Sequence, residues 1–266
     1  MLEISLGQYY PSNSILHKLD PRVKFIGTIL FVISLFLVSG PVGYGFTAVA
    51  LAVLILLSKV PFRFILKSMK PVFFILVITM LFNIFLTPGE TVFRFWIFRV
   101  TREGLVMAAR MGIRLVFLVM GSSLMTLTTT PTQLTDGMET LFRPLSRLHV
   151  PVHEIAMMMS IALRFIPILM EGTDKIKKAQ IARGADFDSG GLIARLKSMI
   201  PLLVPLFVSA FRRANDLAMA MEARCYHGGS GRTQMKPLRY ARIDRIAYLV
   251  MTVYMAVCIV FMRLGM

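Results

Sequence analysis

Residues 25–58 read FIGTILFVISLFLVSGPVGYGFTAVALAVLILLS, and none of these 34 side chains is charged. This run is longer than the about 20 residues that one helix needs to cross a bilayer. The sequence Gly40-Pro41-Val42-Gly43 interrupts the run near its middle, and Gly and Pro are typical of turns. We therefore predict two transmembrane helices, 25–39 and 44–58, joined by a tight turn.

Three further runs extend this pattern. Residues 71–89 are uncharged, a fourth helix is predicted from about 104 to 130, and residues 246–262 are uncharged up to Arg263. The chain is 56% hydrophobic, whereas soluble domains are about 45–50% apolar. The predicted fold class is all-α, a polytopic membrane protein with about five transmembrane helices.

The basic residues predict how the chain is oriented. They cluster before the first span and between the second and third spans, and none lies between the first two: Lys18, Arg22, Lys24, Lys59, Arg63, Lys67 and Lys70. Cytoplasmic loops carry an excess of Lys and Arg, so we expect a cytoplasmic N-terminus. One loop argues against this orientation, because it carries Arg94, Arg99 and Arg102 between the third and fourth spans.

The net charge of +16 raises the question of the partner. The basic residues interrupt hydrophobic runs and form no separate basic domain, which disfavours nucleic acid and favours a lipid bilayer or acidic proteins. Arg110 and Arg114 are one helical turn apart in the fourth span. They either line an intramembrane pathway or extend to the headgroup region, and we favour the second interpretation.

Residues 131–245 carry 17 of the 30 basic residues and 10 of the 14 acidic residues. No transmembrane helix tolerates that density, so we predict three regions: a membrane domain at 1–130 with four transmembrane helices, a cytoplasmic domain of long coupling helices at 131–243, and a final transmembrane helix at 244–266. An apolar stripe over 155–169 predicts one long helix. A second is predicted from about 192 to 224, bent at Pro201 and Pro205. We expect an L-shaped molecule, with the membrane helices above this helical platform.

A short pattern occurs twice, 41 residues apart. The copies are Ala179-Gln180-Ile181-Ala182-Arg183-Gly184 and Ala220-Met221-Glu222-Ala223-Arg224-Cys225. An arginine in a last helical turn is often only a favourable partner of the helix dipole. Two copies favour a binding role, because alanines three residues apart leave a flat face and the arginine fork suits a carboxylate or carbonyls in a partner's groove.

The chain resembles the T component of energy-coupling factor (ECF) transporters. Three stretches carry the resemblance: Gly7-Gln8-Tyr9-Tyr10-Pro11 through Leu16-His17-Lys18-Leu19-Asp20-Pro21-Arg22-Val23-Lys24; Ala182-Arg183-Gly184; and Met221-Glu222-Ala223-Arg224 with Gly228-Gly229 and Gly231-Arg232-Thr233. Together with the predicted spans, the resemblance covers nearly the whole chain.

The resemblance implies a non-catalytic membrane scaffold of a vitamin or micronutrient importer in the cell membrane. Its two tips would dock into two cytoplasmic ABC ATPase subunits, which bind the ATP. Its membrane part and its platform would hold an interchangeable small substrate-binding membrane protein, the S component. The implied ATPase-binding residues are Ala182, Arg183, Gly184, Ala223, Arg224 and Cys225. Cysteine takes the left-handed conformation of a helix stop less easily than glycine, so we expect the second helix end to shift toward Gly228.

Other kinds of site receive little support. The sequence has no Gly-x-x-x-x-Gly-Lys-Ser/Thr loop for ATP. His149, His153 and Glu154 suggest a metal site, but Pro151 separates the two histidines and no His-Glu-x-x-His motif is present. We therefore predict no catalytic, cofactor or metal residues. The alternative function is a self-contained membrane permease, which predicts polar groups and paired broken helices in mid-membrane.

Overall fold

The computed structural model describes residues 9–38, 40–95, 98–185, 187, 191, 193, 197–228, 235 and 237–264. Helices account for most of this part of the chain, and the predicted all-α fold class is confirmed. In chain order the elements are α1 Ile15–Lys18, α2 Pro21–Leu37, α3 Pro41–Ser58, α4 Phe62–Leu86, β1 Thr91–Phe95, β2 Phe98–Thr101, α5 Arg102–Thr128, α6 Pro131–Phe142, a 3-10 helix Arg143–Leu148, α7 Val152–Ala182, α8 Ile200–Glu222 and α9 Arg242–Leu264.

Five helices within the described ranges are long and apolar enough to cross a membrane: Pro41–Ser58, Phe62–Leu86, Arg102–Thr128, Val152–Ala182 and Arg242–Arg263. Four of these contain or overlap predicted spans, and α2, with 17 residues, corresponds to the first predicted span. The helix α7 was predicted in the cytoplasmic domain, yet its length and composition also suit a span. Its assignment to the platform stays a prediction.

A short β-hairpin, which the sequence analysis did not predict, joins α4 to α5. The strands β1 and β2 are antiparallel, with Arg94 opposite Arg99. Thr101 links the two helices, because its Oγ1 donates to the carbonyl of Thr87 at 2.9 Å and accepts from the N–H of Gly104 at 3.1 Å. The loop that carries these arginines is thus partly ordered by backbone pairing.

The chain divides into two compact units. The bundle unit comprises Gly7–Gly137 and Leu238–Met266, and the tip unit comprises Met1–Leu6 and Met138–Pro237. No observation here tests the predicted division into membrane and cytoplasmic domains, so that division stays a prediction.

The core of the bundle unit lies where α2 to α5 meet. Its buried residues are Phe31, Leu35, Leu51, Val60, Ile65, Met120, Leu124 and Leu127. Close approach of α2 and α5 depends on Gly121, because a Cβ there would overlap the ring of Phe31. The apolar face of α4 points away from this core, with Phe74 72% exposed and Leu86 69% exposed. Such surface is costly in water, which agrees with a lipid environment.

The tip unit is built on α7 and α8. Each has a proline in its interior, Pro167 in α7 and Pro205 in α8, and each remains one assigned helix across that proline. The second coupling helix was predicted from about 192. The helix α8 covers Ile200–Glu222, residues 197 and 198 just before it are also helical, and residues 192 and 194–196 lie outside the described residues. At Gln180 the side-chain Nε2 donates to the carbonyl of Pro201 at 3.2 Å. This bond fixes the last turns of α7 beside the first turn of α8.

Candidate partner-binding tips

The first tip ends α7 with a left-handed glycine. The φ angle of Gly184 is +86°, a region in which glycine carries no steric penalty. Its N–H donates to the carbonyl of Ile181 at 2.9 Å. The next N–H, that of Ala185, donates to the carbonyl of Gln180 at 3.0 Å. This pair of bonds is a Schellman motif, which satisfies carbonyls that a helix end otherwise leaves unpaired.

The second tip closes with the same two bonds. The N–H of Cys225 donates to the carbonyl of Glu222 at 2.8 Å, and that of Tyr226 to Met221 at 3.0 Å. The φ angle of Cys225 is +53°, so a non-glycine residue occupies the left-handed position. Our expectation that the stop would shift toward Gly228 is therefore wrong. The hydrogen bonds of the last turn hold Cys225 at the position that Gly184 has in the first tip.

The six predicted binding residues occupy equivalent places in the two motifs. Arg183 and Arg224 each come directly before the left-handed residue, and the alanine before each arginine belongs to the last helical turn. All six residues are exposed: Ala182, Arg183, Gly184, Ala223, Arg224 and Cys225. Each tip thus has small exposed residues beside an exposed arginine. Their role in binding ATPases stays a prediction.

The two tips lie well apart. The first tip is beside the start of α8, because Gln180 bonds to Pro201. The second tip is at the other end of α8, 23 residues beyond Pro201. With a rise of about 1.5 Å per residue, α8 separates the arginines by roughly 35 Å. The arrangement therefore suits two binding sites on one partner assembly better than a single groove.

The tips also differ in charge. Residues 174–184 contain four cations, Lys175, Lys177, Lys178 and Arg183, against one carboxylate, Asp174. The equivalent residues 215–225 contain one cation, Arg224, against Asp216 and Glu222. The first window therefore has a formal charge of +3 and the second of −1. The backbone geometry repeats, whereas the electrostatic potential that a partner meets does not.

The N-terminal stretch of the resemblance forms a buried polar network that the sequence analysis assigned no role. Asp20 caps α2 and holds Arg22 through two side-chain bonds of 3.0 and 2.8 Å. Its own N–H donates to Oδ1 of Asp244 at 2.9 Å, at the start of α9. Lys24 Nζ donates to the carbonyl of Thr128 at 2.8 Å, at the end of α5. The network therefore ties the first and last long helices to α5.

Two pKa shifts characterise this network outside the membrane spans. Burial lowers the pKa of His17, and the charge of Lys24 lowers it further, while a backbone hydrogen bond to Tyr10 opposes the shift. Burial raises the pKa of Asp20, but the hydrogen bonds and charge of Arg22 outweigh it, so this pKa lies below its ordinary value. His17 is thus held neutral and Asp20 ionised.

The histidines considered for a metal site have other environments. His153 Nδ1 lies 2.8 Å from Oε1 of Glu139, and His149 is the left-handed residue that ends the 3-10 helix. Among the described residues, no group of three His, Cys, Asp or Glu side chains is placed to hold a metal ion. Gly229 and Gly231–Thr233, quoted for the resemblance, lie outside the described residues, as do Gly7 and Gln8.

Comparison with known proteins gives matches along nearly the whole chain. The model of the cobalt transport protein family matches residues 12–236. The energy-coupling factor transporter transmembrane protein of Clostridium kluyveri is 54% identical over 259 residues, which cover 97% of this chain and 96% of the relative. The proteins of the same description from Acidaminococcus fermentans and Bacillus subtilis are 48% identical over 265 residues and 47% identical over 259 residues. They cover 100% and 97% of this chain, and 98% and 97% of their own lengths.

Proposed function

Because this chain belongs to the family of energy-coupling factor transporter transmembrane proteins, we propose that it couples two ABC ATPases to a separate substrate-binding membrane protein. In this proposal the chain spans the cell membrane several times and does not itself bind ATP. Its N-terminus and its two tips face the cytoplasm. The substrate is a vitamin or another micronutrient, recognised by the separate membrane protein.

The observation that carries the proposal is the repeated geometry of the tips. Two helices end in the same Schellman motif, each with an exposed arginine before the left-handed residue. Exposed helix ends with an arginine suit docking into grooves, because the guanidinium fork donates several hydrogen bonds in fixed directions. A separation of roughly 35 Å along α8 lets each tip meet a different subunit.

The proposed coupling is mechanical. When ATP closes the two ATPases, their grooves approach one another and move the tips that they hold. Because Gln180 in α7 is bonded to Pro201 in α8, a displacement of the first tip is transmitted to α8. The motion then reaches the substrate-binding membrane protein through the rest of the scaffold.

The test is affinity purification of the tagged full-length chain from its native host in mild detergent. The wild type is compared with Arg183→Ala, Arg224→Ala and the double variant. A buried arginine anchor commonly contributes about 2 kcal/mol or more, which corresponds to roughly 30-fold in affinity. Each single variant should therefore retain less ATPase, and the double variant should retain none, because avidity through the second tip is also lost.

The matched control is Arg164→Ala/Arg212→Ala, which removes one exposed cation from each of the same two helices outside the tips. This control should retain the ATPases. If ATPases stay with the double variant, the arginines are not the anchors. If the wild type retrieves no ATPase, the scaffold function itself is wrong and the self-contained permease becomes the better hypothesis.

A further inference from the structure

A membrane-level groove in the bundle unit has a composition that the coupling function does not explain. It lies between α3, α4 and α5 and has a volume of about 880 Å³, within the range of about 300–1,000 Å³ found for ligand pockets. Small residues form part of its lining: Gly45, Ala48, Ala109 and Gly112. Of the described residues that line it, Arg110 alone is charged. The groove is thus apolar with a single cation.

The position of Arg110 along the bundle follows from its neighbours. Pro41 and Tyr44, in the first turn of α3, line the same groove. The turn between α2 and α3 leaves backbone groups that need water, so this end of α3 lies at a membrane interface. The guanidinium of Arg114 lies at the depth of the first turn of α3, because its Nη2 donates to the Tyr44 hydroxyl at 2.9 Å.

Arg110 precedes Arg114 by four residues, which place it about 6 Å closer to the N-terminus of α5. Helical side chains also point toward the N-terminus. The α5 helix starts at the membrane side on which α3 starts, because α4 returns the chain to that side. Arg110 therefore lies at headgroup depth, above the apolar part of the groove.

The positive charge at this site has no protein counter-ion among the described residues. The ion pair of Arg22 with Asp20 and the contact of His153 with Glu139 both lie outside α5. The guanidinium of Arg114 lies over the ring of Phe36 at 5.3 Å, and its Nε is buried with no hydrogen-bond acceptor among the groups described. Two adjacent cations near a membrane interface attract an anionic headgroup.

We propose that this groove binds one anionic phospholipid, with its phosphate at Arg110 and one acyl chain along Ala48 and Val116. Arginine suits phosphate, because its planar fork donates two parallel hydrogen bonds. The small residues on α3 and α5 leave room for a chain against the helix backbones. A transmembrane helix is a poorer occupant, because it would have to place a carboxylate at the depth of Arg110. This inference is independent of the proposed ATPase coupling.

The experiment is native mass spectrometry of the full-length chain, purified in mild detergent and titrated with phosphatidylglycerol or phosphatidylcholine. One cation near a membrane surface contributes about 1 kcal/mol to lipid binding, which is roughly five-fold in affinity. Arg110→Gln should weaken the tightest phosphatidylglycerol by about that factor, whereas Arg110→Lys should weaken it less. The wild type should prefer phosphatidylglycerol to phosphatidylcholine.

A second variant tests the groove independently of charge. At Gly45, which lines the groove, a Cβ meets no atom within 4 Å, so Gly45→Leu introduces a bulky side chain at the groove without a clash at its Cβ. The Gly45→Leu variant should also lose the most tightly bound phosphatidylglycerol, and its thermal midpoint should equal that of the wild type. Arg102→Gln, at the exposed start of the same helix, is the charge control and should bind lipid as the wild type does.

A photo-crosslinking amino acid at Ala48 identifies the occupant in native membranes. A crosslink to phospholipid is expected. Unchanged lipid binding in both Arg110→Gln and Gly45→Leu would overturn the proposal. A crosslink from Ala48 to a protein segment would overturn it as well, because a partner helix would then fill the groove.

Discussion

Cys225 holds a backbone conformation that its side chain disfavours. The left-handed region costs a non-glycine residue about 1 kcal/mol, yet the bonds from Cys225 to Glu222 and from Tyr226 to Met221 keep it there. The hydrogen bonds of the motif compensate the steric cost. The closing turn of the second tip is therefore less stable than that of the first tip.

This difference predicts opposite effects of two exchanges. Cys225→Gly should slow amide hydrogen exchange of Tyr226 about five-fold, the equivalent of about 1 kcal/mol. Gly184→Ala should speed exchange of Ala185 by a similar factor, since it introduces the same cost into the first tip. Both are read by hydrogen-exchange mass spectrometry. Equal exchange in each variant and the wild type would mean that the left-handed residue does not control the helix stop.

His17 predicts a pH dependence of stability. Its Nε2 lies 2.9 Å from the carbonyl of Tyr10 and its Nδ1 2.6 Å from the hydroxyl of Ser14. A carbonyl only accepts, so Nε2 carries the proton and neutral Nδ1 accepts from Ser14. Because the pKa of His17 is lowered by folding, the unfolded chain binds more protons. This contribution to stability is present above pH of about 6.5 and declines as the pH falls through that value.

The thermal midpoint in detergent should therefore decrease when the pH is lowered from 7.5 to 5.5. The variant His17→Gln should show a smaller decrease over the same pH range. Asp20 does not interfere, because its lowered pKa places its loss of stability below pH of about 4. His227→Gln, an exposed histidine in the tip unit, is the control. If wild type and His17→Gln keep parallel pH curves, His17 is not the titrating group.

At the scale of the elements, long-range pairing limits what the sequence reveals. The uncharged runs predicted most membrane helices, since desolvation makes charge within a span costly. Asp244 contacts Asp20 across 224 positions, and no local pattern indicates that pair. The hairpin was missed because two strands of five and four residues give only a weak periodic signal. The equivalent positions of Arg183 and Arg224 at two helix ends were predictable because both lie in one repeated pattern.

The same scale gives a prediction for the spacing of the tips. Spin labels at Ile181→Cys and Met219→Cys, in a Cys225→Ser/Cys258→Ala background, replace side chains that are 52% and 61% exposed. Met219 lies 18 residues beyond Pro201, so the labels should be separated by about 27 Å in a dipolar electron-spin measurement. Val204→Cys with Met219→Cys provides a ruler along α8, at about 22 Å. If the distance between the labels at Ile181 and Met219 is shorter than the ruler distance, the end of α7 does not lie beside the start of α8.

At the scale of the whole molecule, the distribution of basic residues and the order of the helices predict the orientation of the chain in the membrane. The turn between α2 and α3 carries no basic residue, whereas Lys59, Arg63, Lys67 and Lys70 follow α3. Basic residues remain in the cytoplasm during insertion. The loop with Arg94, Arg99 and Arg102 opposes this order. Its pairing into a β-hairpin makes it a compact unit between α4 and α5, so we still expect it outside.

The two native cysteines make this orientation testable without removing either. Cys225 is exposed at the second tip, and Cys258 is fully buried in α9. A membrane-impermeant maleimide should leave the wild type unlabelled in intact cells and should modify Cys225 once the cells are opened. Glu90→Cys, at an exposed position before the hairpin, should be modified in intact cells. Labelling of Cys225 in intact cells would place the tips outside, where no ATP is available to ATPases bound there, and the coupling function would then be wrong together with the orientation.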